Sequence, residues 1–498
     1  MIDFNVTFQS RDFSPIPPLP HSFQVEKLSW SAQGGPSSAV ISTQSAPETL
    51  FSLLPLLRAP VIVSDCFSNP AWWGFVSQIH ITVHGTHYNL SIDDLFNKVK
   101  VVYSYISPNN IHASPLVETP FSNHLASQSE YGVKEKFLYR TGIDDDFALA
   151  LRDTFLEAAA KPRTFFGPLS GSNPAKVALV CQGWFQTLSW RFHQDLTGFY
   201  ANHGPGPGTQ IFATATSQRF AQHFTSLSDG SVKHAYFLIR KNNSPAANVY
   251  CQITTSDGAN PTATVLGASA NIAGSTIPQG FTWTKFTFDP PVSLSANTNY
   301  WAVIRASANH ATDNFSARLD ENRSFNQVGM VAKYYDGAWK STTAVTTGFT
   351  PVAYFRIVTV QDTGQILHSI STGLGQFFTS IHTLSTGVQA CPFSDDNRTA
   401  LEEVQSLMNL GTVNLRPVLS QVDSNRRLTY FEAPDPTFPT VSMDTQGRFF
   451  SPSGQLIPAW TPPIGQYAIL SGSDHFAPPF DNFRTPNYFV DNYTFFNS

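Results

Sequence analysis

Two kinds of side chain in the middle of this sequence could act on a sugar. Aromatic rings stack on the apolar faces of sugar rings, and paired carboxylates can hydrolyse glycosidic bonds. The aromatic candidates for glycan binding are Trp283, Trp301, Tyr335 and Trp339. A strand over Phe281–Phe288 would place Phe286 and Phe288 on one face and Trp283 and Lys285 on the other, so one pair must point outward unless both faces are covered. Tryptophans of β-sandwiches are usually buried, so a core position is the competing interpretation for each candidate.

The acids of the same segment do not form a recognisable catalytic pair. They are Asp257, Asp289, Asp313, Asp320 and Glu321. Two of them border turn glycines or prolines, where an aspartate caps the turn with its own side chain. The sequence also lacks the short signatures of serine hydrolases, zinc proteases and phosphate-binding loops. We therefore predict no catalytic residue, no cofactor and no enzymatic activity.

Three histidines, His80, His84 and His87, are the nearest approach to a metal site. In a strand, His80 and His84 would lie about 13 Å apart, so only His84 and His87 could pair across the predicted turn. We interpret all three as hairpin histidines without a metal. The cysteines are scattered singly, which favours reduced, buried thiols over disulfides or a zinc site. They are Cys66, Cys181, Cys251 and Cys391.

The composition is that of an assembly subunit or a glycan-binding β-protein. Charged residues make up 13% of the 498 residues and aromatic residues another 13%, whereas typical soluble proteins contain roughly 25% charged residues. Few charges and many aromatic rings are typical of interface cores. The net charge of −5, without a dense Lys/Arg cluster, argues against nucleic-acid binding. We expect no signal peptide and no membrane span, because the start lacks a basic and apolar leader and the longest apolar runs are short.

The elements that would position these residues fall into four expected regions. Residues 1–110 read as a β-rich domain, and residues 111–208 together with 361–470 read as a discontinuous α+β scaffold domain. Residues 209–360 show short strands with frequent turn signals, the pattern of a β-sandwich or jelly roll inserted into that scaffold. The predicted fold class is mainly β with a few helices: an α+β scaffold of β-barrel or sandwich domains plus an inserted β-sandwich jelly roll.

Individual elements are clearest in the scaffold. Helical spacing of Phe147, Leu151, Phe155 and Ala158, with acids at the start, predicts a helix over 144–161. A second helix is predicted over 399–411, with Thr399 as N-cap and Gly411 after its end, followed by a hairpin of 416–422 with 427–432. Residues 183–192 look like the continuation of a strand, and Trp184 is expected in the core. The alternating Gly and Pro of 202–209 predict a linker.

The last region, 471–498, combines many aromatic rings with no periodic spacing and is broken by prolines. We expect it to be an assembly arm that lies on a neighbouring subunit instead of folding back on its own domain. Its contact residues would be Phe480, Phe483, Tyr488, Phe489, Tyr493 and Phe495.

Several stretches resemble phage and prophage tail-tip proteins of the hub or tail-associated type. They are Trp73–Ile79, Leu90–Val99, Ser129–Glu135, Cys181–Arg191, the helix and hairpin of 399–432, and Pro463–Tyr467. The middle segment separately resembles carbohydrate-binding-like jelly rolls. That resemblance rests on Trp283–Leu294, Asn299–Ile304 and Tyr334–Trp339.

The resemblance implies a viral tail protein: a structural, non-enzymatic virion subunit of the tail tip or baseplate, made in the bacterial host cytoplasm. It would be a homo-oligomer, with a trimer favoured, partnered by other tail or baseplate proteins. The inserted domain would serve host attachment through surface polysaccharide. The alternative is a free carbohydrate-binding protein or an accessory module of a polysaccharide-degrading enzyme, against which the expected lack of a signal peptide counts. A tail-spike depolymerase would need the carboxylate pair that the sequence does not reveal.

Overall fold

The computed structural model describes most of the chain up to residue 433 and five short strands beyond it. The described residues are 4–83, 85–104, 117–168, 175–195, 199–202, 208–214, 219–320, 331–341, 351–392, 394, 398–433, 442–443, 449–450, 456–457, 467–470 and 494–497. Most of the predicted linker and the stretch of the predicted arm from Phe480 to Tyr493 lie outside them.

The strands, in chain order, account for most of the regular structure. They are β1 Asn5–Phe8, β2 Gln24–Ser31, β3 Gln33–Gln44, β4 Pro60–Ser64, β5 Pro70–Val83, β6 Thr86–Ser91, β7 Lys98–Ser104, β8 Val117–Glu118, β9 Ser122–Asn123, β10 Glu135–Thr141, β11 Arg163–Pro168, β12 Lys176–Gln182, β13 Phe199–Asn202, β14 Gly208–Phe212, β15 Arg219–Ser226, β16 Gly230–Lys241, β17 Asn248–Ser256, β18 Pro261–Ala268, β19 Ile272–Ala273, β20 Thr282–Leu294, β21 Thr298–Ala306, β22 Phe315–Asp320, β23 Ala332–Tyr335, β24 Trp339–Ser341, β25 Val352–Ala353, β26 Phe355–Asp362, β27 Ser380–His382, β28 Gln389–Ala390, β29 Val418–Val422, β30 Arg427–Glu432, β31 Ser442–Met443, β32 Phe449–Phe450, β33 Leu456–Ile457, β34 Tyr467–Leu470 and β35 Thr494–Asn497.

The helices are few and mostly short. They are α1 Pro47–Leu50, α2 Leu125–Tyr131, α3 Asp145–Ala159, α4 Thr363–Leu374 and α5 Ala400–Asn409, with 3₁₀ helices at Phe51–Leu56, Trp184–Trp190 and Gly274–Thr276. The prediction of a mainly β protein with a few helices is confirmed. Among the described residues, no helix has the length and apolar character needed to cross a membrane.

The chain divides into two compact units. The first comprises residues 1–193, 367–388 and 397–498, and the second comprises residues 194–366 and 389–396. The second unit therefore begins before and ends after the expected insertion of 209–360. The expected boundary near residue 110 has no counterpart in this division.

The first unit is built on an eleven-stranded sheet, and its strand order explains the missing boundary. The order is β1-β4-β5-β12-β3-β29-β30-β27, with β2 beside β3, β6 beside β5 and β11 beside β6. Strand β12 pairs with both β3 and β5, and β29 runs parallel to β3. Segments from the middle and the end of the chain thus complete a sheet that starts at the N-terminus. The predicted hairpin is confirmed, with Val422 opposite Leu428.

The core of this unit is aromatic, as its sequence suggested. Trp72, Trp73 and Phe75 are buried on β5, and the indole Nε1 of Trp73 donates to the carbonyl of Val422 at 2.9 Å. Trp184 is buried too, which confirms its predicted core position. Residues 184–190 nevertheless form a 3₁₀ helix, so the predicted strand is wrong there. At Gly183 a Cβ would meet the Pro36 carbonyl at 1.7 Å, so this close crossing requires glycine.

A smaller layer contains the predicted helix. Strands β7 and β10 are parallel, and α3 packs on β7. The Asp144 carboxylate caps the helix by accepting the Phe147 N–H at 2.8 Å. Ala148 and Leu156 are the residues buried against the sheet. Phe147 is 57% exposed, whereas Leu151 and Phe155 are partly buried and pack against the same clusters. Helix α5 is confirmed with its Thr399 capping box.

The second unit is a sandwich of two antiparallel sheets. One sheet has the order β13-β26-β16-β22-β14, with β20 beside β16, β25 beside β22 and β28 beside β26; the other has β18-β17-β21-β15-β23-β24, with β19 beside β17. The chain passes repeatedly from one sheet to the other, as in a jelly roll. The shared core is rich in phenylalanine. Its phenylalanines are Phe212, Phe220, Phe224, Phe237, Phe286, Phe288, Phe315 and Phe355.

The last described strand returns to the segment that precedes the predicted arm. Thr494–Asn497 pairs antiparallel with Tyr467–Leu470. The end of region 471–498 therefore forms a pairing within its own chain, contrary to the expectation that the arm would not fold back. Phe495 lies on this strand.

Candidate functional site: the outward faces of the sandwich

The first sheet of the second unit carries cations on its outward face. Along β16, Phe237 and Ile239 enter the core, so the alternation of a strand turns Tyr236, Leu238 and Arg240 outward. The same alternation applies to the neighbouring strands. It turns outward Arg318 on β22, Arg356 on β26, and Trp283 and Lys285 on β20, with Phe281 just before β20.

Three of these arginines lie over aromatic rings. The Cζ atom of Arg356 is 4.4 Å from the centroid of Trp283, and those of Arg240 and Arg318 are 4.8 and 5.3 Å from the centroid of Phe281. Such cation–π contacts hold a guanidinium in place and are worth about 0.5–1 kcal/mol at exposed sites. We call the surface formed by Arg240, Arg318, Arg356, Lys285, Phe281 and Trp283 the arginine face.

The cations of the arginine face lack anionic partners among the residues that the structure describes. None of the three arginines forms an ion pair or donates a side-chain hydrogen bond there, and the Nε atoms of Arg240 and Arg356 are buried and unpartnered. Several acids of this unit lie in turns or bends. Examples are Asp229, Asp257, Asp313 and Asp336. Asp289, Asp320 and Asp362 lie on strands and do not pair with the three arginines. The face therefore presents positive charge and unused donors.

The outward face of the second sheet is different, because part of it is covered. Trp301 is 1% exposed and packs with Ala221, Val303 and Trp339 in a small second cluster. Its indole Nε1 donates to Ser256 Oγ at 3.1 Å. Neither ring face of Trp301 is open to a ligand, so we withdraw this residue from the predicted glycan contacts.

The hairpin of β23 and β24 holds the two remaining candidates. Tyr335 and Trp339 pair across it, with ring centroids 5.3 Å apart and an edge-to-face arrangement. Both are half-buried. Arg219 lies over Tyr335, its Cζ atom 5.0 Å from the ring centroid, and burial together with nearby Arg305 lowers the pKa of Arg219. We call Arg219, Tyr335 and Trp339 the hairpin face.

The four predicted aromatic residues are thus divided between two surfaces. Trp283 lies on the arginine face, while Trp301, Tyr335 and Trp339 lie together on the other sheet. The sequence-based predictions do not include the arginines, although the alternation of core and outward residues along the strands indicates them. Arg318 stands between Ala317 and Leu319, and Arg356 stands between two core residues in the same way. A cation flanked by core residues must point away from the core.

The acids of the sandwich act mainly on local backbone. Asp257 accepts the N–H groups of Ala259 and Asn260, and these bonds lower its pKa. Asp313 lies 3.3 Å from His310 Nδ1, and Asp320 is buried. Glu321 lies outside the described residues.

The hairpin histidines differ from expectation. The rings of His80 and His87 lie 5.4 Å apart. His87 on β6 is directly opposite Thr82 on β5, and His80, two residues before Thr82, is its diagonal neighbour on the same face of the sheet. The prediction that only His84 and His87 could pair is therefore wrong, and His84 lies outside the described residues. Burial and His87 lower the pKa of His80. The described residues contain no cluster of three or more His, Cys, Asp or Glu that could hold a metal.

The four cysteines form no disulfide. Cys181 and Cys251 are buried, as predicted, and burial raises the pKa of both thiols. Cys66 is exposed, so the expectation of burial is wrong for it.

The first unit contains a separate cavity of about 500 Å³. Its walls include Ile16, Leu19 and Leu56, and Arg11 and Glu130 form an ion pair at its lining. Elsewhere in this unit, Lys134 is buried, donates to the Ile92 carbonyl at 2.5 Å, and has its pKa lowered by burial to about 8. These groups have structural partners, and the sandwich faces remain the stronger candidates for binding.

Comparison with known proteins does not place the chain in a family. No protein-family model and no curated protein matches it. Among solved structures, a Bacillus thuringiensis Cry1Da tryptic core variant aligns with 11% identity over 49% of this chain and 51% of that chain, with a TM-score of 0.15. An infectious bursal disease virus Gx strain structure aligns with 10% identity over 70% and 84%, also with a TM-score of 0.15. At such scores neither likeness carries an argument about fold or function.

Proposed function

We propose that this protein is a structural, non-enzymatic subunit of a bacteriophage tail tip or baseplate, of the hub type, and that its sandwich unit contacts polysaccharide on the host surface. The observation that carries the glycan contact is the presence of partly exposed aromatic rings and arginines on both outward faces of the sandwich. Such surfaces combine ring stacking with polar recognition, as sugar binding requires.

The tail-tip context is supported by the sequence. It rests on the low content of charge, on the high content of aromatic residues, and on the resemblance of the stretches between Trp73 and Tyr467 to tail-tip proteins. In this setting the first unit would be the scaffold that assembles with other tail or baseplate proteins. The protein would then be located in the phage particle.

The glycan contact is tested with the purified full chain and polysaccharides extracted from bacterial surfaces. We expect measurable binding that Tyr335→Ser and Trp339→Ser weaken. Phe67→Ser is the matched control, because Phe67 is an aromatic residue of the first unit that is 81% exposed. The bound polysaccharide should keep its length, since we propose no hydrolysis. Shortened chains, or equal weakening by the control, would contradict the proposal.

A free carbohydrate-binding protein is the second candidate, because the sandwich has a complete core of its own. Sedimentation of the purified chain separates the two. A tail-tip subunit should form a homo-oligomer, with a trimer favoured, whereas a free binder should be a monomer that still binds polysaccharide.

A further inference from the structure

We propose that the arginine face binds an acidic polysaccharide, a chain whose sugars carry carboxylate groups, through the guanidinium groups of Arg240, Arg318 and Arg356. This inference rests on the proposed function, because it names the ligand class of the same sandwich unit. It also changes the role of Trp283, which becomes a platform that positions an arginine.

The aromatic rings of the arginine face already contact the protein's own cations. Arg356 lies over Trp283, and two arginines share Phe281, so these ring faces are at least partly occupied by the protein's own cations. A neutral sugar would have to displace a guanidinium in order to stack there. The Nε atoms of Arg240 and Arg356 are buried, so an incoming carboxylate would meet the Nη groups, whose N–H donors point outward in the guanidinium plane.

The three arginines have no acidic partner among the described residues. Each arginine brings five N–H donors, and within the described residues none of the three pairs with a carboxylate or donates a side-chain hydrogen bond. A carboxylate satisfies two such donors at once in a planar, charge-assisted pair. Because no described carboxylate pairs with these arginines, the face attracts an anion from outside.

The cations occupy two successive positions along the strand direction. Phe281 and Trp283 are two residues apart, a spacing of about 7 Å along an extended chain. The guanidinium groups of Arg240 and Arg318 lie at Phe281, and that of Arg356 lies at Trp283. Two cationic positions in succession suit an extended polymer with repeating charges better than a single small anion.

Nucleic acid also carries repeating charges, but single strands bind largely by stacking bases on open aromatic rings. Here the rings carry guanidinium groups. A carboxylate-bearing polysaccharide needs only the donors that the face leaves unused, so the face suits it better than a nucleic acid.

The test compares matched polymers on the full chain. The probes are polygalacturonate, alginate and hyaluronan, each beside its methyl-esterified form, which has the same backbone without the charge. We expect at least one acid form to bind about tenfold or more tightly than its ester, with affinity falling as salt is added. Equal affinity for every acid and its ester would overturn the inference.

Variants then assign the preference to the arginines. Arg240→Gln, Arg318→Gln and Arg356→Gln, combined, should abolish the preference for the acid form, and each alone should weaken binding about tenfold. If the triple variant fails to fold, the three single variants are compared with the wild-type protein instead. Arg→Lys at the same positions keeps the charge but loses the planar fork, so it should also weaken binding.

The matched control removes the same charge elsewhere. Lys27, Arg140 and Lys161 are exposed residues of the first unit, and their combined change to Gln should leave the preference intact. Equal weakening by this control would show a net-charge effect and overturn the inference. Equally tight binding of phosphatidylglycerol vesicles or of poly(dT) would also overturn it. Binding of neutral polysaccharides only would overturn the inference and leave the proposed function standing, whereas binding of no polysaccharide would remove both.

Discussion

Trp283 and Trp301 stand on the outward faces of the two sheets of one sandwich, yet their surroundings are opposite. Trp301 lies on β21, between β15 and β17, and it is 1% exposed, with Val331 and the hairpin residue Trp339 packed against its cluster. Trp283 lies on β20, which pairs with β16, and it is half-buried under Arg356. The face of a strand residue follows from alternation, but its exposure depends on what the rest of the chain lays over that face.

Replacing each tryptophan with alanine should give the largest contrast. Trp301→Ala should lower the free energy of unfolding of the sandwich by about 3–5 kcal/mol, because it empties a buried site. Trp283→Ala should cost under about 2 kcal/mol, since the ring is half-exposed. Hydrogen exchange of the backbone amides of β15 and β21 measures this locally. Equal costs for the two variants would show that the two faces do not differ in cover.

The same contrast explains how much of the sandwich was predictable. The alternation of Phe286 and Phe288 against Trp283 and Lys285 correctly separates core from surface, because a strand has a fixed period of two. The burial of Trp301 is not predictable from its own strand, because the residues packed around it, such as His223 and Trp339, are far away in the sequence and belong to other strands. When distant residues cover a side chain, the sequence around that side chain shows no pattern that predicts its burial.

The scaffold shows a similar limit. The caps of α3 and α5 are local signals, and both helices were predicted from them. The place of β12 between β3 and β5 is a long-range pairing, and local sequence patterns, which suggest a boundary near residue 110, do not reveal it. The 3₁₀ helix at 184–190 occupies apolar residues that a strand could equally bury, and tertiary packing decides between the two.

Removing the cover alone sharpens the comparison further. Trp339→Ala should lower the free energy of unfolding of the sandwich by about 1–2 kcal/mol, less than Trp301→Ala, because Trp339 is itself half-exposed. The variant should also make the amides near Trp301 exchange faster. If Trp339→Ala left exchange in β21 unchanged, another part of the chain would have to supply the cover.

A smaller effect is expected at the hydrogen bond of the covered ring. Ser256→Ala removes the acceptor of the Trp301 indole N–H and should cost about 1 kcal/mol. The cost stays modest because Ser256 is only half-buried and water can approach it. Ser256→Thr is the matched control, since it keeps the hydroxyl, and it should restore most of the stability measured by the same exchange experiment.

The smallest effect concerns the titration of His234 on the outward face of the first sheet of the sandwich. His234 points outward on β16, and burial, Lys285 and Lys233 lower its pKa. Its ring also lies near Tyr236 and Thr287. Since the folded state favours the neutral imidazole, the stability that this residue contributes is complete above the unfolded pKa of about 6.5 and is lost as the pH falls through the lower folded pKa.

His234→Gln should therefore flatten the loss of stability on acidification below about pH 6.5, and an NMR titration of the wild-type ring should give a pKa under that value. A bound acidic polysaccharide would place negative charge near Lys285 and His234 and should raise this pKa. Binding would then strengthen as the pH falls toward the titration of the histidine, while the ligand's carboxylates remain ionised. An unchanged pKa in the presence of a bound polyuronate would place the ligand away from this part of the arginine face.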